Sequence, residues 1–177
     1  MRLADARRWL VIGNSGSGKT TLARHIDAAL GVPHLELDAV HWQAGWTQNP
    51  RFVDEVTRFV TLDEWVVDGF YTPVRPALAA RAQVLVWLDL PPAVILRRVV
   101  FRTVVRRIRG AELWNGNREP PLRTFFTDDE HVIRWAATTL RQHEARVRTA
   151  LAANPGLRLV RIRSTADAHR LVSRLRG

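Results

Sequence analysis

Cysteine is absent from this chain of 177 residues, which excludes disulfides and thiolate metal centres. No apolar run approaches the roughly 18 residues that a membrane-spanning helix needs, and the opening Met1-Arg2-Leu3-Ala4-Asp5 has no signal-peptide core. A cytoplasmic location without membrane attachment is expected. Internal repeats, low-complexity tracts and domain linkers are also lacking, so 1–177 reads as one domain with one core. The most telling scarcity is lysine. Of 27 Lys plus Arg, only Lys19 is lysine. A chain that otherwise builds its positive charge from planar guanidinium has kept one compact ammonium on a flexible stem, and the reason has to lie at that position.

The remaining composition is that of a folded protein, with 46% hydrophobic and 25% charged residues. A formal net charge of +10 suits phosphate-bearing partners, whether nucleotides, nucleic acid or anionic surfaces, and equally suits solvated arginine-rich faces.

Along the chain, strands alternate with helices. Trp9-Leu10-Val11-Ile12 is a continuous apolar run stopped by Gly13, as a strand buried on both faces should be. From Lys19, the spacing of Leu22, Ile26 and Leu30 predicts a helix closed by Gly31 with Pro33 beyond. Residues 32–37 read as a second strand leading to Asp38, 39–50 as a loop, and 51–60 as a helix entered through Asn49-Pro50. Trp65-Val66-Val67 ends at Asp68-Gly69, and 84–88 ends at Asp89, so two acids fall at strand C-termini. Pro91-Pro92 opens a long helix to about Arg109. A loop then runs over 110–121, and Thr127-Asp128-Asp129-Glu130 has the form of a capping box before another long helix. A fifth strand over 157–162 and a helix from Thr165 complete the pattern. It predicts a three-layer α/β/α architecture around a five-stranded parallel sheet.

Gly13-Asn14-Ser15-Gly16-Ser17-Gly18-Lys19-Thr20 matches G-x-x-x-x-G-K-[ST] at every fixed position, between a predicted strand and a predicted helix. Glycines let backbone N–H groups turn inward around phosphate oxygens, and the helix N-terminus adds its positive end. Lys19 is expected to bridge the β- and γ-phosphates of ATP, and the Thr20 hydroxyl to ligate Mg2+, with Thr21 completing the nucleotide-binding set. No G-x-G-x-x-G can be drawn here, so a dinucleotide site is excluded. With its one lysine used, the chain also lacks the N-K-x-D element of guanine-specific GTPases. It has no hydrophobic strand ending in Asp-Glu to supply a motor's hydrolytic base. Phosphoryl transfer to a bound acceptor is what remains.

Further elements carry a resemblance to the nucleoside-monophosphate kinases. Val66-Val67-Asp68-Gly69-Phe70 resembles their strand-end D-G-F, and Leu88-Asp89-Leu90-Pro91 their L-D-x-P. Arg98 and Arg102 reproduce the R-x-x-x-R that starts the family's lid, and Asp128-Asp129 before Arg134 is similar to the lid exit, one residue shorter. His34-Leu35-x-Leu37-Asp38, the loop His41-Trp42…Gly45-Trp46 and Asp68-Gly69-x-Tyr71 are closer still to bacterial adenylate-kinase-like proteins often named DNA topology modulation proteins. The resemblance implies a P-loop fold of the adenylate or shikimate kinase type, an acceptor-binding segment over 39–60 and a lid over 102–127. It places Mg2+ on Thr20 and, through water, on Asp68, an acid whose alternative use is to close a strand-end turn. Arg98, Arg102, Arg106 and Arg109 recur at helical spacing and form one positive stripe that a lid could lay on the nucleotide.

Asp38 faces the acceptor in this reading. It would orient a hydroxyl or accept its proton; for a phosphate acceptor, Arg75 or Arg134 would do the positioning. Trp42, Trp46 and Tyr71 can either stack on a base or pack the loop. No T-G-D-x-x-R stretch appears, which separates the acceptor region from true adenylate kinases, and Trp114-Asn115-Gly116-Asn117-Arg118 has the place of a lid tip without an evident mechanism. The expectation is an ATP- and Mg2+-dependent kinase acting on a small molecule. A nucleic-acid-associated ATP-binding protein is the alternative, motivated by the charge.

Overall fold

The computed structural model of the chain describes residues 2–108, 112–117 and 142–177. Five strands form one sheet: β1 Arg8–Gly13, β2 His34–Glu36, β3 Trp65–Asp68, β4 Val84–Leu88 and β5 Arg158–Ile162. Their spatial order is β2-β3-β1-β4-β5, and every pair is parallel. Parallel strands of this kind are covered on both faces, which is why β1, β3 and β4 read as unbroken apolar runs.

Alternation along β1 divides the core. Leu10 and Ile12 point to one face with Trp65, Val67, Leu85 and Trp87. Trp9 and Val11 point to the other with Val66, Val84, Val86 and Leu88. The second face is covered by α1 (Lys19–Leu30) through Leu22, Ala23 and Ile26, and by the C-terminal helix Thr165–Arg176 through Leu171, Val172 and Leu175. The first face is covered by three helices, Phe52–Phe59, Arg75–Arg81 and Gln142–Ala153, through Phe52, Val56, Leu78, Val147 and Ala150. In chain order the described α-helices are therefore α1, α2 (Leu37–His41), α3 (Phe52–Phe59), α4 (Arg75–Arg81), α5 (Pro92–Ile108), α6 (Gln142–Ala153) and α7 (Thr165–Arg176). The expected three-layer α/β/α architecture is the one observed. Among the described residues no helix is long and apolar enough to cross a membrane.

Two elements differ from the sequence reading. The second strand stops at Glu36, and Leu37 begins the short α2 where a loop was expected, so Asp38 sits in a first helical turn. Helix α4 has no counterpart in the expected pattern. Pro73 and Pro76 suggest a turn there, yet Pro76 falls in the first turn of α4, where a missing N–H costs nothing and the fixed φ favours the helix. Arg109, Arg118, Arg134, the helix start expected at Thr127 and the 118–127 part of the expected lid lie outside the described residues.

Asn154, just after α6, ties that helix to α4 within one layer. Its side-chain amide donates to the carbonyls of Ala79 (2.9 Å) and Ala82 (3.1 Å) at the end of α4, and its Oδ1 accepts from the Gly156 amide (3.0 Å). Those carbonyls are among the four that a helix leaves without internal partners. Asn154→Ala should lower stability by about 1–3 kcal/mol, measured as a shift in the denaturant midpoint with an unchanged slope. A midpoint equal to that of the parent would show the tie to be dispensable.

Candidate active site

The C-terminal ends of the strands gather the residues that carry chemistry. Gly13 ends β1, and the loop to Gly18 turns into α1. Gly18 stands at φ 97, a left-handed conformation that any side chain would strain, and a Cβ built on it would meet nothing within 4 Å. The space over the loop is thus open on the side from which a phosphate would approach. Gly16 is constrained from the other direction, because a Cβ there would lie 2.5 Å from Val99 Cγ2 of α5. The Lys19 ammonium donates to the Asn14 carbonyl at 3.3 Å, so it lies folded against its own loop.

Helix α5 lays two arginines on this loop. Arg102 donates to Ser15 Oγ (2.9 Å), while Arg98 reaches the Ser17 carbonyl (3.4 Å) and Thr165 Oγ1 (2.9 Å) at the start of α7. Their i, i+4 spacing puts both on one helix face, as the sequence pattern requires. Below Arg98 lies a cleft of about 200 Å³ lined by Gly18, Thr21, His25, Leu90 and Thr165 among others. Its far wall, contributed by the residues after β5, escaped the sequence reading. The polar pair Ser164-Thr165 immediately beyond a strand was the available signal.

On the opposite side of the loop is a group of acids. Asp68 ends β3, is 3% exposed, and neither carboxylate oxygen has a hydrogen-bond partner; His34 Nε2 is 3.5 Å from Oδ1 without hydrogen-bond geometry. In the β2–β3 register Glu36 stands directly opposite Asp68. Glu36 was missed in the sequence, although an acid at the last position of a strand, two before Asp38, was a readable signal. Its Oε1 accepts from the Thr20 hydroxyl at 3.2 Å, and Arg24 lies 3.6 Å from Oε2. Burial, followed by repulsion from Asp68 and then Asp38, raises its pKa, against hydrogen bonds from Trp114 and Thr20 that lower it. Glu36 on the Thr20 hydroxyl, with the buried Asp68 opposite it in register, is a donor set that suits a hydrated divalent cation. Among the described residues no three His, Asp or Glu side chains could hold a metal ion by themselves.

Asp38 accepts a 2.7 Å hydrogen bond from the Tyr71 hydroxyl. Burial and the neighbouring Asp38 carboxylate drive the Tyr71 pKa far upward, so the phenol stays a donor. From Tyr71 a chain of ring contacts runs through His41 (4.3 Å between centroids) to Trp42 (4.6 Å), Trp46 (5.7 Å) and Trp114 (6.4 Å). Trp42, Trp46 and Tyr71 therefore pack on one another. Gly69 turns into the sheet, its amide donating to the Val11 carbonyl (3.1 Å), and a Cβ there would lie 2.9 Å from Leu37 Cβ. Arg75 opens α4 with its guanidinium 4.9 Å over the Phe70 ring.

The segment 114–117, for which the sequence offered no mechanism, is fastened to the loop at 39–46 by side chains bonding to backbone. Asn115 donates to the carbonyls of Ala39 (3.2 Å) and Trp42; Asn117 donates to Gln43 (2.8 Å) and accepts from the Trp46 amide (3.0 Å). Trp46 has φ 57, a costly conformation for a bulky residue, and the bond from Asn117 helps to hold it there. Trp114 also acts to lower the pKa of Glu36, so the segment fastened to the 39–46 loop lies near the acid beside Thr20.

A parallel β2-β3-β1-β4-β5 sheet in three layers, with its G-x-x-x-x-G-K-T loop after β1, defines the P-loop kinase fold. Solved structures that match include the shikimate kinase of Bacteroides thetaiotaomicron, at 19% identity over 96% of this chain and 96% of that one, with a TM-score of 0.53. A shikimate kinase from Acinetobacter baumannii in complex with shikimate matches at 16% identity over 97% of this chain and 92% of that one, with a TM-score of 0.51. These likenesses establish the fold. No family model and no curated protein matches the chain.

Asn117 is 4% exposed, so its amide has no water to turn to when a partner is lost. Asn117→Ala should raise the hydrogen-exchange rate of the Trp46 amide at least about tenfold while leaving β1 and β3 protected. Unchanged exchange over 39–48 would show that the fastening does not hold the loop.

Proposed function

We propose that this protein is an ATP-dependent phosphotransferase that moves the γ-phosphoryl group of ATP to a small acceptor bound near Asp38. The observation that carries the proposal is the meeting, at one end of the sheet, of the Lys19 loop, the two arginines of α5 and the unpartnered buried carboxylate of Asp68.

In this reading Gly13, Asn14, Ser15, Gly16, Ser17 and Gly18 wrap the phosphates with backbone amides, and the nucleoside lies in the cleft by Thr21 and Thr165. Lys19 exchanges the Asn14 carbonyl for phosphate oxygens. Arg98 and Arg102, already over the loop, add charge where it develops during transfer. Thr20 and Glu36 would hold Mg2+ on one side and Asp68 would hold it through water, the ion serving to neutralise charge on the β- and γ-phosphates.

Asp38, positioned by the Tyr71 phenol, orients a hydroxyl acceptor and takes its proton as the oxygen attacks phosphorus. Trp42, Trp46, Gly69 and Arg75 belong to the acceptor side, Arg134 to the catalytic set, and residues 102–127 to a cover that excludes water. Net charge alone supports the nucleic-acid alternative, whereas Arg98 and Arg102 of α5 reach the P-loop.

The test is ATP consumption over a panel of hydroxylated metabolites and nucleotides. Lys19→Ala should reduce the acceptor-dependent rate at least about 100-fold, and Glu36→Gln should raise the Mg2+ concentration needed for half-maximal rate. Acceptor-dependent turnover that survives Lys19→Ala would overturn the assignment.

A further inference from the structure

Three histidines among the described residues bury a ring nitrogen that has no hydrogen-bond partner: His34, His41 and His143. Their surroundings differ. The His41 ring packs against Trp42, Phe52 and Tyr71. Burial, and then the positive charges of Arg146, Lys19 and Arg75, lower the His143 pKa to about 4. His34 alone of the three turns its unpartnered nitrogen toward an unpartnered carboxylate. Its Nε2 is 3.5 Å from Asp68 Oδ1, and both atoms are shut off from solvent. Buried polar atoms are nearly always satisfied, so two orphans facing each other identify the partner that each lacks.

The sheet explains why His34 is that partner. Successive side chains of a strand alternate between faces, so His34 and Glu36 of β2 share a face, as do Val66 and Asp68 of β3. Register sets His34 beside Val66 and Glu36 beside Asp68. On its other side Asp68 stands beside Val11 of β1. The flanking positions are thus a second carboxylate and an apolar side chain, and neither donates a hydrogen bond. His34, one step back along the same face of β2, brings a donor within reach. An imidazole can hold a carboxylate as an uncharged N–H donor and leave its negative charge available, whereas a guanidinium, always charged, would cancel it.

We infer that His34 is the positioning residue of Asp68: its Nε2–H donates to Oδ1, which fixes the carboxylate and leaves Oδ2 to accept from water on the divalent cation. The inference rests on the kinase reading for the cation alone. The pairing of ring and carboxylate is read from the two strands. Closing the gap from 3.5 Å to hydrogen-bond length takes a movement of about 0.5 Å. Outer groups that hold a metal-associated side chain govern metal affinity by roughly 10- to 100-fold, which is the size of effect expected of His34. It touches neither nucleotide nor acceptor in this scheme, and no proton changes hands.

The first measurement needs no ligand. Heteronuclear NMR of the histidine rings of the full chain near pH 9, with His34 assigned by the signal lost in His34→Gln, should find the ring proton on Nε2. A proton on Nδ1 with Nε2 bare would set a lone pair against the carboxylate and overturn the pairing.

The second measurement is calorimetric titration with β,γ-imido-ATP, once in EDTA and once in excess Mg2+, so that the ratio of the two affinities reads what the cation adds. His34→Leu, of similar bulk and without a donor, should cut that ratio about tenfold while the metal-free affinity stays within about twofold. His34→Gln, whose amide can place a donor near the position of Nε2, should keep the ratio within about threefold of the parent. A merely structural role would lower both affinities instead. Equal ratios in the parent and His34→Leu would overturn the inference and leave the kinase reading intact. Equal losses in the two variants would also overturn it, by assigning the ring a use that a plain donor does not fill. If the parent binds no nucleotide with or without Mg2+, the kinase reading falls and takes the cation with it, while the ring proton still decides whether His34 holds Asp68.

Discussion

One end of the sheet is built from charges that cannot be satisfied by each other alone. Glu36 and Asp68 stand in register on neighbouring strands with Asp38 close behind, and their mutual repulsion shows in the raised Glu36 pKa. Across the P-loop, Lys19, Arg75 and Arg146 press on a buried neutral imidazole. The glycine-rich turn keeps the two groups apart. In the proposed reading, a triphosphate with its metal ion would bring negative charge to the cationic side and positive charge to the acidic side.

The fold places these groups through backbone geometry rather than side-chain reach. Parallel strands end at the same edge of the sheet, so acids at the last strand positions converge without long side chains. The covering helices deliver the cations from above. Helix α5 does so through Arg98 and Arg102, one turn apart, while Val99 between them packs against Gly16 and fixes the height of the helix over the loop. A side chain at Gly16 would push α5 off the loop, so the glycine serves the position of the arginines as much as the turn.

What could be read from the sequence follows the range of the interactions concerned. The P-loop is contiguous, and Lys19 announces itself as the sole lysine. The arginines of α5 follow from a period within one helix, and the buried strands from continuous apolar runs. Glu36 was hidden because its meaning lies in its register with Asp68, 32 positions away by the numbering of that pair. Asn115 and Asn117 were hidden for the same reason, since their partners are backbone atoms at 39–46. His143 sits in an arginine-rich helix whose sequence shows nothing of its burial.

The fastening of 114–117 to the acceptor-side loop bears on how such a site could act as a unit. Asn117 holds the strained Trp46, and Trp46 continues the ring chain from Trp114 through Trp42 and His41 to Tyr71 on Asp38. The 114–117 segment is therefore joined to Asp38 by one continuous chain of rings. A shift of 114–117 would withdraw the backing of the rings that seat Tyr71. In the proposed reading, an acceptor that orders the 39–46 loop would act on Asp38 through these rings.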